Sequence, residues 1–248
     1  MKKMKWQLIL GLILISLSGL LYLFHYVIFK DIHHIFIYLL GDIAFVPIEV
    51  FLVTIVVHRL LSDREKKALL TKLNMVIGAF FSEVGTKLLI FLSDYDKNSN
   101  ILMEHLSEVR IWTARDFKEI YKKLKSYQSD VKINPENLEN LKKFLIKKRE
   151  FLLRLLENPN LLEHESFTDL LWAVFHLTEE LEKRENCKKL PAADYGHLIG
   201  DTKRAYNIIV LEWIAYMSHL KNNYPYLFSL AIRTNPFDLK ASPIIMTG

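Results

Sequence analysis

The 248 residues carry 33 lysines and arginines against 28 acids, which gives a formal net charge of +5, and 51% of them are hydrophobic. This length allows one or two domains. The single cysteine excludes an intramolecular disulfide, and the sequence has no phosphate-binding loop, dinucleotide fingerprint, zinc-finger spacing or serine-triad signature. The modest charge does not favour a nucleic-acid partner.

Two long apolar segments open the chain. Residues 6–29 contain no formal charge, and residues 32–57 are interrupted only by Asp42 and Glu49. About 20 apolar residues span a bilayer as a helix. We therefore predict a transmembrane hairpin over residues 1–58. The first segment is too long for a signal-peptide core and ends without a small-residue cleavage site, which favours a retained anchor.

The charges beside these segments predict their orientation. Three lysines precede the first segment, and a basic cluster that begins at Arg59 follows the second. The connecting loop carries only Lys30 and Asp31, whose charges cancel. By the positive-inside rule, both termini lie in the cytoplasm and the short loop lies outside.

The second span is expected to continue as one long helix, because no proline follows Pro47 before the soluble part begins. Residues 73–92 are strongly apolar and carry only Glu83 and Lys87, four residues apart. They fit either a third membrane segment or a buried helix. The cost of charge in lipid favours the buried helix. Its apolar neighbours make Glu83 a candidate buried acid with a raised pKa.

Further helical patterns predict an all-α fold, and no strand pattern or internal repeat is seen. Asn-Pro pairs at 134–135 and 158–159 are typical of helix starts. A cytosolic bundle of five to six helices is expected over residues 59–233, followed by an irregular tail over residues 234–248. The predicted helices cover residues 101–127, 135–157, 158–184, a long stretch to about 222, and 224–232.

Three stretches resemble an uncharacterised prokaryotic family of membrane proteins. They are LGDIAFVPIEV at residues 40–50, VIGAFFSEVGTKLL at residues 76–89 and YPYLFSLAIRTNPFD at residues 224–238. The resemblance covers most of the chain. It implies two transmembrane helices in the plasma membrane of a prokaryote and a helical cytosolic domain, and it attaches no activity.

Polar side chains form one stripe on each predicted span. Asp42 and Glu49 lie within about 20° of each other on the helix, and Tyr38 shares their stripe. A matching set on the first span lies within about 40°: Gln7, Gly11, Ser18 and His25. One hypothesis is an ion or proton pathway through an oligomer, lined by Glu49 and Asp42. The alternative is that these groups hydrogen-bond to lock the helices together.

A second set of polar residues lies in the predicted bundle. Three pairs have helical spacing: His176 with Glu180, His197 with Asp201, and Glu212 with His219. Similar spacing occurs in bundle dimetal sites, although the Glu-x-x-His motif of those sites is absent here. Both stripes also lie about 100° or more from the apolar faces of their helices. Three interpretations follow: a bound metal ion, a solvated polar face, or two stripes that face each other at a helix pair.

The sequence ranks three functions. A membrane-anchored interaction or regulatory module comes first, acting as a homo-oligomer or with a protein partner, because no catalytic constellation is recognisable and an enzyme is not expected. An ion or proton pathway comes second and a metal-binding bundle third, the metal being the one conceivable cofactor. The segment 110–155 holds 13 lysines and arginines against 6 acids and could contact anionic lipid.

Overall fold

The computed structural model describes residues 2–159, 161 and 164–244, with the backbone alone at residues 2–5, 7, 63 and 65–70. Throughout these residues the regular structure is helical, apart from one isolated antiparallel bridge between Asp96 and Val131. The predicted all-α fold is therefore confirmed. The chain divides into two compact units, with the boundary in the sequence between Glu65 and Lys66. The predicted boundary after residue 58 lies seven residues earlier.

The N-terminal unit is built from helix α1, Lys2–Phe29, and the first part of helix α2, Ile32–Phe80. Lys30 turns the chain with a φ of 53°, and the Asp31 carboxylate accepts a hydrogen bond from the His34 amide at 3.1 Å. The segments Leu8–Phe29 and Ile32–Ser62 are long and apolar enough to cross a membrane, and most of their side chains are exposed.

Helix α2 runs for 49 residues without a break, which confirms the predicted continuous helix. A π-helical turn, Phe81–Gly85, joins it to helix α3, Thr86–Tyr95. The segment Thr71–Tyr95 is also long and apolar enough to cross a membrane, but one face of it lies in the core of the C-terminal unit. Eight of its apolar side chains are buried: Leu73, Ile77, Phe80, Phe81, Val84, Leu88, Leu89 and Leu92.

Two helices replace the single helix predicted over residues 101–127. Helix α4 covers Ser99–Leu106 and helix α5 covers Ala114–Leu124, with a 3-10 turn at Val109–Ile111 between them. The prediction was wrong because a capping box begins a new helix. The Thr113 amide donates to the Asp116 carboxylate at 2.6 Å, and the Asp116 amide returns a bond to the Thr113 hydroxyl.

Four longer or terminal helices complete the domain: α6 at Pro135–Leu156, α7 at Glu165–Glu182, α8 at Ala192–Asn223 and α9 at Pro225–Arg233. The predicted start of α6 is confirmed, since the Asn134 side chain accepts a hydrogen bond from the Asn137 amide at 2.7 Å. Helix α7 begins later than its Asn-Pro signal predicted, with the His164 ring accepting from the Phe167 amide.

Helix α8 is the central element of the C-terminal unit. It packs against α3, α5, α7 and α9. Tyr206, Trp213 and Met217 are fully buried along it, together with several polar residues. Because neighbouring helices cover much of its circumference, α8 can hold polar side chains inside the bundle that a two-sided amphipathic helix would expose.

Candidate metal centre

Four of the six predicted ligands come together where α7 packs against α8. His176 and Glu180 lie one turn apart on α7, and His197 and Asp201 lie one turn apart on α8. The Nε2 atoms of His176 and His197 are 3.6 and 3.3 Å from Asp201 Oδ2. Each Nε2 is also 3.8 Å from a carboxylate oxygen of Glu180. We call these four residues the α7–α8 cluster.

The spacing within the α7–α8 cluster matches metal ligation in part. Ligand atoms at about 2.0–2.2 Å from a tetrahedral zinc ion lie about 3.3–3.6 Å from each other. The two distances to Asp201 Oδ2 fall in that range, and the distances of 3.8 Å to Glu180, one to each of its oxygens, lie just above it. One ligand atom from each of His176, Glu180 and His197 lies within 4.8 Å of the other two. Two imidazoles and two carboxylates form a donor set that suits zinc, iron or manganese.

Asp201 forms the floor of the cluster. It is only 4% exposed, and its Oδ2 atom, the one that faces both histidines, has no hydrogen-bond donor. Buried polar atoms in proteins are normally paired. Asp96 is equally buried, yet its oxygens accept from the Tyr127 hydroxyl and from the amides of Asn98 and Asp130. Asp201 Oδ2 is therefore a buried oxygen of this cluster that lacks a hydrogen-bond donor and could bind a ligand.

Two arginines contact the two carboxylates of the cluster, Glu180 and Asp201. Arg184 Nη1 donates to Glu180 Oε2 at 2.7 Å and its Nε donates to Asp194 at 2.8 Å, while Arg204 Nη1 lies 3.2 Å from Asp201 Oδ1. The Arg184 hydrogen bond lowers the pKa of Glu180 below its ordinary value of 4.5. Glu180 is thus an ionised carboxylate near neutral pH, and its Oε1 is left for a ligand.

The mouth of the cluster is open to solvent. The side chains of His176 and His197 are 45% and 52% exposed, and that of Glu180 is 28% exposed. An ion could therefore reach Asp201 from solution without unfolding the bundle. The geometry describes an accessible site on the surface of the helix pair.

Glu212 and His219 lie outside this cluster. At 1.5 Å per residue along α8, they are about 17 and 27 Å from Asp201. Glu212 is 3% exposed, where a solvated position was expected, and burial among the helices around α8 raises its pKa. Burial also lowers the pKa of the half-buried His219. Four of the six predicted ligands therefore lie together, and the arrangement of all six in one site does not form.

Glu83 is not a buried acid. Its side chain is 53% exposed, and Lys148 on α6 donates to it at 2.8 Å. This hydrogen bond lowers the pKa of Glu83, opposite to the predicted shift. Lys87, four residues after Glu83, does not replace this partner, because its ammonium lies over the Phe144 ring at 5.5 Å. Phe80 and its apolar neighbours fill the core while Glu83 points outward.

A second polar site lies within the N-terminal unit. Four predicted residues, Ser18, His25, Tyr38 and Asp42, line one cavity of about 590 Å³. Glu49 is exposed and is not among the lining residues of that cavity. The side chain of Gln7, the sixth residue of this prediction, lies outside the described part of the chain.

His34 joins this cavity and was not among the predicted site residues. Its ring stacks on His25 with centroids 6.3 Å apart, and it meets the edge of Tyr38 at 4.7 Å. The signal was present in the sequence, because His34 precedes Tyr38 by four residues and Asp42 by eight. His25 Nδ1 is buried and has no hydrogen-bond partner.

These features define a class: an all-helical protein with an apolar two-helix N-terminal region and a helical C-terminal domain that carries a histidine–carboxylate cluster. Comparison with known proteins identifies the family. Residues 2–61 match the domain described as "MJ1433, N-terminal helical domain", and residues 69–233 match "Uncharacterized protein MJ1433, C-terminal helical domain". The chain belongs to this MJ1433 family.

A full-length relative supports the assignment. The chain is similar to "Uncharacterized protein MJ1433" of Methanocaldococcus jannaschii, with 45% identity over 241 residues that cover 97% of each protein. No solved structure matches the chain. The resemblance predicted from three stretches is confirmed at the level of a family with helical N- and C-terminal domains.

Proposed function

We propose that the protein is a membrane-anchored regulatory module whose C-terminal domain binds one divalent transition-metal ion per chain at the α7–α8 cluster. One observation carries this proposal. The buried oxygen Asp201 Oδ2 has no hydrogen-bond donor and lies within 3.6 Å of two imidazole Nε2 atoms. Glu180 Oε1, 3.8 Å from His176 Nε2, is the fourth candidate donor, while Glu180 Oε2 accepts from Arg184.

The membrane anchor is the second part of the proposal. Its support is the pair of apolar segments, Leu8–Phe29 and Ile32–Ser62, each long enough to cross a bilayer. Their flanking charges favour a hairpin with both termini in the cytoplasm, in the plasma membrane of a prokaryotic cell. The C-terminal domain would then act at the cytoplasmic surface.

A metal ion at this position would connect two helices of the bundle. Because its ligands come in pairs from α7 and α8, the bound ion adds a link between them that the unfolded chain lacks. Binding to the folded state alone stabilises a protein by about 2.7 kcal/mol when the free ion is at 100 times its Kd. Metal availability would thus set the stability of the domain that meets a partner.

Metal analysis of the purified full-length chain tests the proposal. The protein is stripped with chelator, equilibrated with zinc, manganese or ferrous iron, and freed of excess metal before analysis. We expect close to one ion per chain for at least one metal. His176→Ala and Asp201→Asn should lose it, whereas His105→Ala, on α4 and away from the cluster, should keep it.

Two results would overturn this site. One is a metal content near zero for every ion tried in the wild-type protein. The other is a metal content that Asp201→Asn leaves unchanged. In either case the four residues form histidine–carboxylate ion pairs that stabilise the α7–α8 contact.

An ion or proton pathway is the second candidate function, favoured by the cavity that joins His25, His34, Tyr38 and Asp42. Two spans cannot enclose a pore, so conduction requires an oligomer. Ion and proton flux in proteoliposomes should be lost in Asp42→Asn if the cavity conducts, and in Glu49→Gln if a ring of acids selects the ion. Absence of flux in the wild type across several ions and voltages would refute this function.

A further inference from the structure

A mainly apolar groove lies in the C-terminal unit. Its volume is about 930 Å³, and it lies between the segment Asn74–Asp94 on one side and α9 on the other, with the second half of α8 as its floor. We call it the α9 groove. Six of its lining residues are Met75, Ile90, Trp213, Tyr216, Leu227 and Leu230.

The rim of the α9 groove exposes large apolar side chains. Met75 is 62% exposed, Tyr226 is 71% exposed, and Leu230 is 47% exposed. These residues come from α2 and α9, and both line one concave surface. A contiguous exposed apolar surface of this kind marks an interaction site for another apolar surface.

The composition of the groove wall favours lipid as the occupant. The segment Thr71–Tyr95 is apolar enough to cross a bilayer, yet only 44% of its most apolar window is buried. Its remaining apolar side chains, such as Met75 and Ile90, face the groove. This half of the wall thus combines these exposed apolar side chains with polar and charged ones, namely Asn74, Ser82, Thr86, Lys87 and Asp94.

The polar groups of the groove are also compatible with an acyl chain. Tyr216, Tyr224 and Tyr226 line it, and tyrosine is enriched where apolar chains meet headgroups. Burial lowers the pKa of His219, which also lines the groove, so its imidazole is neutral at neutral pH. Lys87, whose ammonium lies over Phe144, and Asp94 line the same groove, so a lipid headgroup there would meet one charge of each sign.

The proposed membrane anchor links the groove to a source of lipid through the chain itself. Helix α2 contains both the proposed second span, which ends at Ser62, and the groove residue Met75, thirteen residues later. Thirteen residues reach at most about 45 Å even when fully extended. The anchor therefore keeps the groove at a high effective concentration of bilayer lipid.

We propose that the α9 groove takes up the acyl chain of a membrane lipid. This inference depends on the proposed membrane anchor and is independent of the metal site. A helix of a protein partner and a second copy of this chain are the competing occupants.

Photolabelling in proteoliposomes tests the inference with the full-length chain. The vesicles contain a phospholipid with a diazirine on its acyl chain, and the labelled peptides are mapped by mass spectrometry after illumination. We expect label in the segments 74–91 and 224–231 as well as in the two spans. Labelling of the spans is the internal control for membrane insertion.

Two rim variants and one control variant test whether the label depends on the groove. Leu230→Asp and the more exposed Tyr226→Asp should each lose the groove label and keep the span label. Ile111→Asp changes an apolar residue that is 72% exposed in the turn before α5, away from the groove, and should label like the wild type.

Label confined to the spans of the wild type would overturn the inference and leave the membrane anchor standing. Groove label that both rim variants retain would also overturn it, because the label would then come from nonspecific contact. Absence of label from the spans as well would refute the anchor itself, and the inference with it.

Discussion

Three buried acids in the C-terminal domain have different surroundings and therefore different roles. Asp96 is 4% exposed and is satisfied by a tyrosine hydroxyl and two amides, so it fixes a loop. Glu212 is 3% exposed and is close to His164 and Ser166, with burial as the dominant effect on its pKa. Asp201 alone of the three directs an oxygen without a donor toward two imidazoles.

Glu212 should make stability fall as pH rises. Its pKa is raised above 4.5 by burial, so the folded chain binds more protons than the unfolded chain at pH values above 4.5. The stability that the neutral carboxyl provides is complete below the unfolded pKa and is lost as pH rises through the folded pKa. We expect Glu212→Gln to melt close to wild type at pH 4 and above it at pH 7.5.

Thermal melts of both proteins between pH 4 and 8 measure this difference. Glu165→Gln, at the start of α7, is a suitable control because this acid is exposed. A wild type that gains stability over the Gln variant with rising pH would contradict the expected sign.

Zinc bound at the α7–α8 cluster should stabilise the folded chain. An ion that binds the folded state alone raises the free energy of unfolding. We expect saturating zinc to raise the melting temperature of the wild type at pH 7.5. Asp201→Asn should remove the zinc-dependent shift, and a shift that survives in this variant would contradict the site.

At the scale of elements, the π-helical turn between α2 and α3 depends on Gly85. A Cβ atom there would lie 2.6 Å from Phe81 Cδ1 and 2.8 Å from Phe80 Cε1, closer than carbon atoms can approach. Both phenylalanines are fully buried, so neither ring can move freely away. Glycine at this position is therefore a packing requirement of the core.

Gly85→Ala should destabilise the protein by about 1–3 kcal/mol, the usual cost of overpacking a core. Gly200→Ala is a matched control on α8, where an added Cβ would meet nothing within 4 Å. Its expected effect is a gain of about 0.5–1 kcal/mol, because alanine loses less backbone entropy in a helix. Urea or thermal unfolding of the three proteins would show whether the signs are opposite.

The helix starts show which local signals determine structure. Asn134 caps α6 with its side chain, and Pro135 occupies the first turn, as predicted. The same dipeptide at residues 158–159 does not start α7, whose first residue is Glu165. Local capping chemistry was sufficient in the first case. In the second, His164 provides the cap, and a histidine is a weaker sequence signal than asparagine.

For the whole molecule, the proposed hairpin predicts where each part of the chain is accessible. A fluorescent protein fused to the C-terminus should fold and fluoresce in the cytoplasm of an expressing bacterium. Alkaline phosphatase, which needs export, should be inactive at the C-terminus and active when inserted after Lys30. An active C-terminal phosphatase fusion would contradict the predicted orientation.

The sequence by itself determined the all-α class, the two apolar N-terminal segments and the continuation of the second segment as one long helix. These properties follow from local composition and periodicity, which each residue carries regardless of its partners. The family resemblance was also readable from short stretches such as VIGAFFSEVGTKLL. The candidate ligands His176, Glu180, His197 and Asp201 were recognisable by their spacing alone.

Only the tertiary structure decided which of those candidates meet. Helix spacing places His176 above Glu180 and His197 above Asp201, but the pairing of α7 with α8 brings the two pairs within 3.8 Å. Burial of Glu212 and exposure of Glu83 were likewise decided by the neighbours of α8 and by the position of Lys148 on α6. The physical reason is that burial and ligand geometry depend on contacts between distant segments, which periodicity along one helix does not specify.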